Sequence, residues 1–182
     1  MNAPILASTI LATTDQPYPS RARPWLEIKT YTLVGLALLV LFFLQQGFNL
    51  KPLWLAQWQQ QEWYRQFSGI VLLAYLLLQW RLGKTKIQNW VGSVARIVHI
   101  HKWQGALTPL VFYAHSMQLG YAYQLLLSSV FLGNIVVGML NPEVVRVAHK
   151  AYRPSWLVIH IVLAVLTMLL VVFHLYVVYG YS

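Results

Sequence analysis

Long apolar segments with almost no charge recur along this chain of 182 residues, and they constrain its fold more than any other feature. A helix needs about 20 mostly apolar residues to cross a bilayer. Five segments meet this requirement, at about residues 30–50, 66–82, 97–119, 121–140 and 155–179. Charged residues make up only 9% of the chain, whereas soluble domains contain roughly 25%. The sequence therefore predicts an all-α fold, an integral membrane helical bundle with five transmembrane helices.

The predicted bundle occupies residues 30–182, and residues 1–29 have the composition of a flexible cytoplasmic N-terminal tail. The short apolar stretch in this tail lacks the preceding basic residues of a signal peptide. Residues 51–65 combine three tryptophans with four glutamines, which is typical of a segment lying in the membrane interface. No internal repeat is evident. Cysteine is absent, which excludes disulfides, thiolate metal sites and iron–sulfur clusters.

The basic residues are distributed unevenly and give the chain a formal net charge of +9. With five spans, the N-terminus and the loops at residues 81–102 and 141–154 lie on one side of the membrane. The other side carries only Lys51 and Arg65. The positive-inside rule then places the N-terminus in the cytoplasm and the C-terminus outside. Charge this sparse in so apolar a chain does not indicate a nucleic-acid partner. The predicted cytoplasmic side carries eleven basic residues, namely Arg21, Arg23, Lys29, Arg81, Lys84, Lys86, Arg96, Lys102, Arg146, Lys150 and Arg153.

Four of the six histidines form two pairs with the same spacing. His101 and His115 are 14 residues apart in the third span, and His160 and His174 are 14 residues apart in the fifth. Fourteen residues turn about 1400°, which is about 40° short of four turns, so each pair lies on one helix face about 21 Å apart. The two helices run parallel because one span separates them. We therefore expect an inner tier of His101 and His160 near the cytoplasm, and an outer tier of His115 and His174.

Two tiers of facing imidazoles can hold two haem b groups, each with two axial histidines. Iron binds neutral imidazole, and a dry bundle also favours the neutral form. One metal ion cannot span both tiers, and ordinary core histidines would not require equal spacings. Small side chains in the same helices would leave room for a flat cofactor, at Gly105, Ala106, Ala114 and Ala164. We therefore predict that iron and haem are bound by His101, His115, His160 and His174.

Three basic residues lie near the level of the inner tier and are candidate partners of haem propionates. They are Arg96, Lys102 and Arg153. The ordinary cytoplasmic excess of positive charge explains each of them equally well, so both interpretations stay open. His99 and His149 fall outside the paired pattern.

These residues resemble the ferric reductase-like transmembrane domain, a di-haem family that includes ferric-chelate reductases, NADPH oxidases and the haem subunit of a bacterial methionine sulfoxide reductase system. The sequence from His101 to Gly105 is similar to the His-x-x-x-Gly of the family's first ligand helix, and His115 follows fourteen residues on. The second ligand helix is similar in Trp156-Leu-Val-Ile-His160 and in His174-Leu-Tyr. The resemblance covers about residues 66–180. Cytochrome b of quinol-oxidising complexes shares the spacing, but it is longer.

The resemblance implies a di-haem b-type cytochrome that carries electrons across a membrane. Family members usually have a sixth core helix, and many carry a flavin and nicotinamide domain. This chain contains no Gly-rich dinucleotide fingerprint, so the electrons would come from a separate redox protein or a quinol. We expect a bacterial inner membrane or an equivalent energy-transducing one, with lipid as a partner.

Several alternatives stay open at this point. The chain could be one subunit of an oxidoreductase, with no catalytic residue of its own. It could instead be a structural or assembly subunit of a larger membrane complex, whose histidines pack or bind another pigment. A haem protein that reduces a quinone is a third possibility.

Overall fold

A computed structural model describes residues 29–80, 91–147 and 149–180, with only the backbone described for residues 91–95. The predicted tail at residues 1–29, apart from Lys29, and the basic residues at positions 81–90 lie outside this described part. The described residues form six helices and the loops between them, and none of these residues forms a β-strand. The prediction of an all-α fold is confirmed. The helices are α1 (Thr30–Gly47), α2 (Leu53–Gln60), α3 (Glu62–Gln79), α4 (Val91–His115), α5 (Tyr123–Met139) and α6 (Tyr152–Gly180).

The five longer helices fall on the five predicted segments, with boundaries that differ by a few residues. The short α2 lies within the tryptophan-rich segment at residues 51–65. Among the described residues, α1 and α6 are the two helices long and apolar enough to cross a membrane. Helix α5 is also apolar but has 17 residues.

The outer surface of the described helices is strongly apolar, and α6 is the clearest example. Thr167 is the one residue of α6 that is buried. Val158, Leu169 and Val172 on this helix are each exposed by about 60% of their surface. Apolar surface on this scale is unfavourable in water, and soluble monomers rarely expose so much of it in one contiguous area.

Helix α4 lies at the centre of the arrangement. It packs against α1, α3 and α5, whereas α6 packs mainly against α5. The buried core between α1, α4 and α5 contains three aromatic rings in contact, with Phe112 at 5.5 Å from Phe42 and 5.4 Å from Phe131. Helices α4 and α6, which carry the paired histidines, make no extensive backbone contact with each other. A gap between these two helices therefore lies beside the core.

Helix α1 approaches α4 and α5 closely at Gly35. A Cβ atom at this position would lie 3.1 Å from the Cα of Ala106 and would overlap the methyl group of Met139. Ala106 therefore serves the contact with α1, and the expectation that it leaves room for a cofactor is wrong. Gly105 behaves differently, since a Cβ atom there would meet nothing within 4 Å.

The connection between α4 and α5 is longer than the sequence predicted. Helix α4 ends at His115, whereas the third span was expected to continue to residue 119. Side chains from earlier helices satisfy the free carbonyls at this end, because Gln59 donates to the carbonyls of Tyr113 and Ala114 at 2.9 and 3.0 Å. Seven residues, 116–122, then lead to α5, and Gly120 in this loop adopts a φ of 81°.

Candidate cofactor site

The inner tier brings His101 of α4 and His160 of α6 together. Their ring centres are 6.2 Å apart, and the ring planes are nearly perpendicular, at 82°. A metal ion shared by two imidazoles holds the ring centres about 6 Å apart, since each metal–nitrogen bond is about 2 Å long. The distance across the inner tier therefore fits two axial ligands of one iron.

His160 is held between an indole ring and a glycine. Trp156, one turn earlier in α6, stacks on the imidazole with ring centres 5.6 Å apart and planes 8° apart. The Trp156 Nε1 donates to the carbonyl of Val137 at 2.7 Å, which ties the indole to α5. On α5, a Cβ atom at Gly138 would lie 3.2 Å from His160 Cε1. These contacts fix the plane of the ring and explain why Trp156 and His160 are separated by one helical turn.

The outer tier has a different geometry. His115 and His174 line one cavity of about 460 Å³, which also contacts α3 and α5. Cofactor pockets have volumes of about 300–1,000 Å³. Gly69 of α3 lies against His115, because a Cβ atom there would come within 3.2 Å of the imidazole Cε1. The charged and amide side chains that line this cavity are Glu62, Arg65, Gln66, Gln118 and Gln124, and hydroxyl groups are contributed by Ser116, Ser128, Thr167 and Tyr179.

The Nδ1 atoms of the outer tier contact hydroxyl groups. His115 Nδ1 lies 3.0 Å from Ser68 Oγ of α3. His174 Nδ1 lies 3.4 Å from the Tyr123 hydroxyl of α5. A metal-binding histidine usually donates its other ring N–H to a neighbouring oxygen, which fixes the tautomer and the ring orientation. Both contacts join Nδ1 to a hydroxyl oxygen, so Nε2 is the ring nitrogen of each histidine that remains without such a contact.

The inner tier differs in this respect. The Nδ1 atoms of His101 and His160 are buried and make no hydrogen bond of ordinary geometry. The backbone of Gln79 acts on the His101 ring, and the backbone of Asn134 acts on the His160 ring. In both tiers, therefore, α3 supplies the neighbour of the α4 histidine and α5 supplies the neighbour of the α6 histidine.

Two buried threonines lie midway between the tiers. Thr108 follows His101 by seven residues, and Thr167 follows His160 by seven. Each threonine is only 3% exposed, and each hydroxyl donates at 2.8 Å to the carbonyl four residues earlier. The pattern His-x₆-Thr-x₆-His thus occurs once in α4 and once in α6.

The three predicted propionate partners lie in different surroundings. Lys102 forms an ion pair with Glu143 at 2.5 Å, and its ammonium group lies 5.6 Å from the centre of the Tyr31 ring. Arg96 and Arg153 are exposed. All three of these predicted partners belong to the inner tier. Arg65, which was not among them, lines the cavity of the outer tier.

Taken together, the residues fit a flat iron-containing cofactor at each tier: paired imidazoles on facing helices, a space beside Gly105, and glycines against two of the rings. In the described part of the chain, no three His, Cys, Asp or Glu side chains converge as a metal-binding group. Comparison with protein-family models, with curated proteins and with solved structures found no match.

Proposed function

We propose that this protein is a di-haem b-type cytochrome that carries electrons across a membrane. The observation that supports it best is the pairing of His101 with His160, at a distance that suits one iron, on helices that also carry a second pair. The second pair, His115 and His174, lines a cavity of cofactor size. Equal spacing on two parallel helices stacks the two sites across the bilayer.

In this proposal, His101 with His160 and His115 with His174 would each hold one haem, and a bound haem would supply one-electron redox chemistry. The chain itself orients the imidazoles through contacts from α3, α5 and α6. Ser68 and Tyr123 orient the outer rings, and Trp156 with Gly138 orients His160. The hydroxyls of Thr108 and Thr167 each donate to a carbonyl of their own helix, so neither leaves an unsatisfied donor buried between the tiers.

The proposal includes a bundle of five membrane-spanning helices, α1, α3, α4, α5 and α6, with the N-terminus in the cytoplasm. Helix α4 carries more polar residues than a lipid-facing helix tolerates, but α1, α3 and α5 cover it. Ala106, Thr108 and Pro109 on this helix are buried. A bacterial inner membrane or an equivalent energy-transducing membrane suits the proposed activity.

We propose further that the chain receives electrons from a separate redox protein or from a quinol, as the resemblance to the ferric reductase-like family implies. No Gly-rich dinucleotide motif is present in the sequence. In this role the chain is the membrane subunit of an oxidoreductase, and its own residues hold and separate the two centres.

The test is an absorption spectrum of the purified protein, with the haem content measured per chain. We expect a reduced b-type spectrum and about two haems per chain. A preparation without haem, or with one haem per chain, contradicts the proposal. If another pigment copurifies in place of haem, the alternative of a structural or pigment-binding subunit takes its place.

A further inference from the structure

The two tiers differ in the chemistry behind their imidazoles. In the outer tier, both Nδ1 atoms face side-chain hydroxyls, those of Ser68 and Tyr123. In the inner tier, the Nδ1 atoms are buried and accept or donate no hydrogen bond with a side-chain hydroxyl of the described residues, and the backbone groups that act on the two rings are those of Gln79 and Asn134. A backbone carbonyl is present whatever the residue, whereas a hydroxyl is specified by the sequence. The surroundings of the outer histidines can therefore be tuned by single residues.

Ser68 is positioned to accept the Nδ1 proton of His115. It is buried, at 8% exposure, and its own hydroxyl proton is directed to the carbonyl of Arg65 at 3.3 Å. With its proton engaged there, the Oγ lone pairs face the imidazole at 3.0 Å. The arrangement selects the tautomer of His115 that carries hydrogen on Nδ1 and presents Nε2 to the cavity.

Tyr123 has the corresponding position on α5. Its hydroxyl lies 3.4 Å from His174 Nδ1, and its ring packs against His174 with centres 6.0 Å apart. The ring also contacts Phe173 edge-on at 5.3 Å. The phenol is therefore held in place by packing while its hydroxyl reaches the imidazole nitrogen.

We propose that Ser68 and Tyr123 are positioning residues of the outer tier, and that they set the redox potential of the outer centre without affecting the inner one. This inference rests on the proposed function. A hydrogen bond from Nδ1–H to oxygen increases the basicity of the imidazole and stabilises the oxidised metal. Loss of the acceptor therefore raises the midpoint potential of the centre that the histidine ligates.

The experiment is a spectroscopic redox titration of the purified protein, of Ser68→Ala and of Tyr123→Phe. Loss of such a partner usually changes metal affinity or activity by about 10- to 100-fold. If the balance between the oxidised and reduced forms shifts tenfold, the midpoint potential rises by about 59 mV. We expect an increase of this order in one of the two potentials for each variant, and no change in the other.

Matched variants separate a specific effect from a general one. Ser129→Ala and Tyr121→Phe make the same chemical changes at exposed positions, and we expect them to leave both potentials unchanged. Ser68→Thr keeps a hydroxyl and should retain the original potential. A His174→Ala protein, which loses the outer centre, shows which of the two potentials belongs to that tier.

The outcomes distinguish this inference from the proposed function. If the protein binds no haem, the proposed function itself fails. If it binds two haems but Ser68→Ala and Tyr123→Phe leave both potentials unchanged, the function stands and the positioning role is refuted. A shift of the inner potential, or equal shifts of both, also overturns it. The haem content of each variant, expected near two per chain, verifies that the fold is intact.

Discussion

The inner and outer tiers lie on the same two helices with the same spacing, yet their surroundings differ. At the inner tier, His101 and His160 lie 6.2 Å apart, and Trp156 stacks on one of them. At the outer tier, His115 and His174 line a cavity of about 460 Å³ and contact hydroxyl groups. The spacing of the histidines along a helix therefore determines only the level of each pair along the helix axis. The neighbouring helices α3 and α5 determine the width of the site and the polar atoms around it.

Substitution of a histidine should have the largest effect that is specific to one tier. We expect His115→Ala or His174→Ala to lower the haem content from about two to about one per chain, because an axial ligand of the outer centre is lost. His101→Ala should remove the other centre. His149→Ala, in an exposed turn, is the control and should keep both. Retention of both haems in the His115 and His174 variants contradicts the assignment of the outer tier.

The glycines against the rings should give the next largest effect, and each should act on one tier. Gly138→Val places methyl groups against His160, and Gly69→Val does the same to His115, because a Cβ atom alone already lies 3.2 Å from each ring. We expect Gly138→Val to reduce haem occupancy of the inner tier and Gly69→Val that of the outer tier.

Gly133→Val is the matched control, since a Cβ atom at Gly133 meets nothing within 4 Å on the same helix α5. The readout is haem content together with the redox potentials, which identify the tier that is lost. Equal losses from all three variants would mean that valine in a helix, and not contact with the ring, is responsible.

A substitution at the contact between α1 and α4 should lower the stability of the whole bundle and so affect both tiers equally. Gly35→Leu forces a large side chain between α1 and α4, at the contact with Ala106 and Met139. Overpacking of this kind costs about 1–3 kcal/mol, and in a membrane the close contact at small residues is itself a main source of helix association. The unfolding free energy in detergent should fall by this amount. Leu36→Ala, at an exposed position of the same helix, should change it less.

The smallest expected effect concerns the ion pair beside the inner tier. Glu143 is 58% exposed and Lys102 is 19% exposed, so the pair is partly screened by solvent. Glu143→Gln and Lys102→Met should each lower stability by less than about 1 kcal/mol. If the two residues act as a pair, the double variant will cost less than the sum of the single ones. Additive costs would instead mean that the two residues do not act as a pair, and both sequence-based interpretations of Lys102 would stay open.

Several features of the molecule followed from the sequence alone. The apolar segments predicted long helices at the right places, because backbone hydrogen bonds within a helix are local and hydropathy follows composition. The spacing of 14 residues predicted that each histidine pair shares one helix face, since helical geometry is fixed at 3.6 residues per turn. The spacing of seven residues from His101 and His160 also places Thr108 and Thr167 on the faces that carry the histidines, although threonine does not bind haem iron.

Other features depend on contacts between segments that are distant in sequence, so no local pattern could predict them. Ser68 and His115 are 47 residues apart, and Tyr123 and His174 are 51 apart. The end of α4 at His115 could not be predicted either, because the side chains that donate to its last carbonyls come from other helices.

The sequence by itself determined the helical fold, the level of each histidine and the uneven distribution of basic residues, all of which are properties of single segments. Only the tertiary structure decided which polar atoms face each imidazole, which helices enclose the outer cavity, and that Lys102 is paired with Glu143. The physical reason is that hydrogen bonds and packing contacts act over a few ångströms. The positions of these contacts depend on how the helices cross. The crossing in turn depends on small residues such as Gly35, and no local sequence pattern indicates which residues Gly35 contacts.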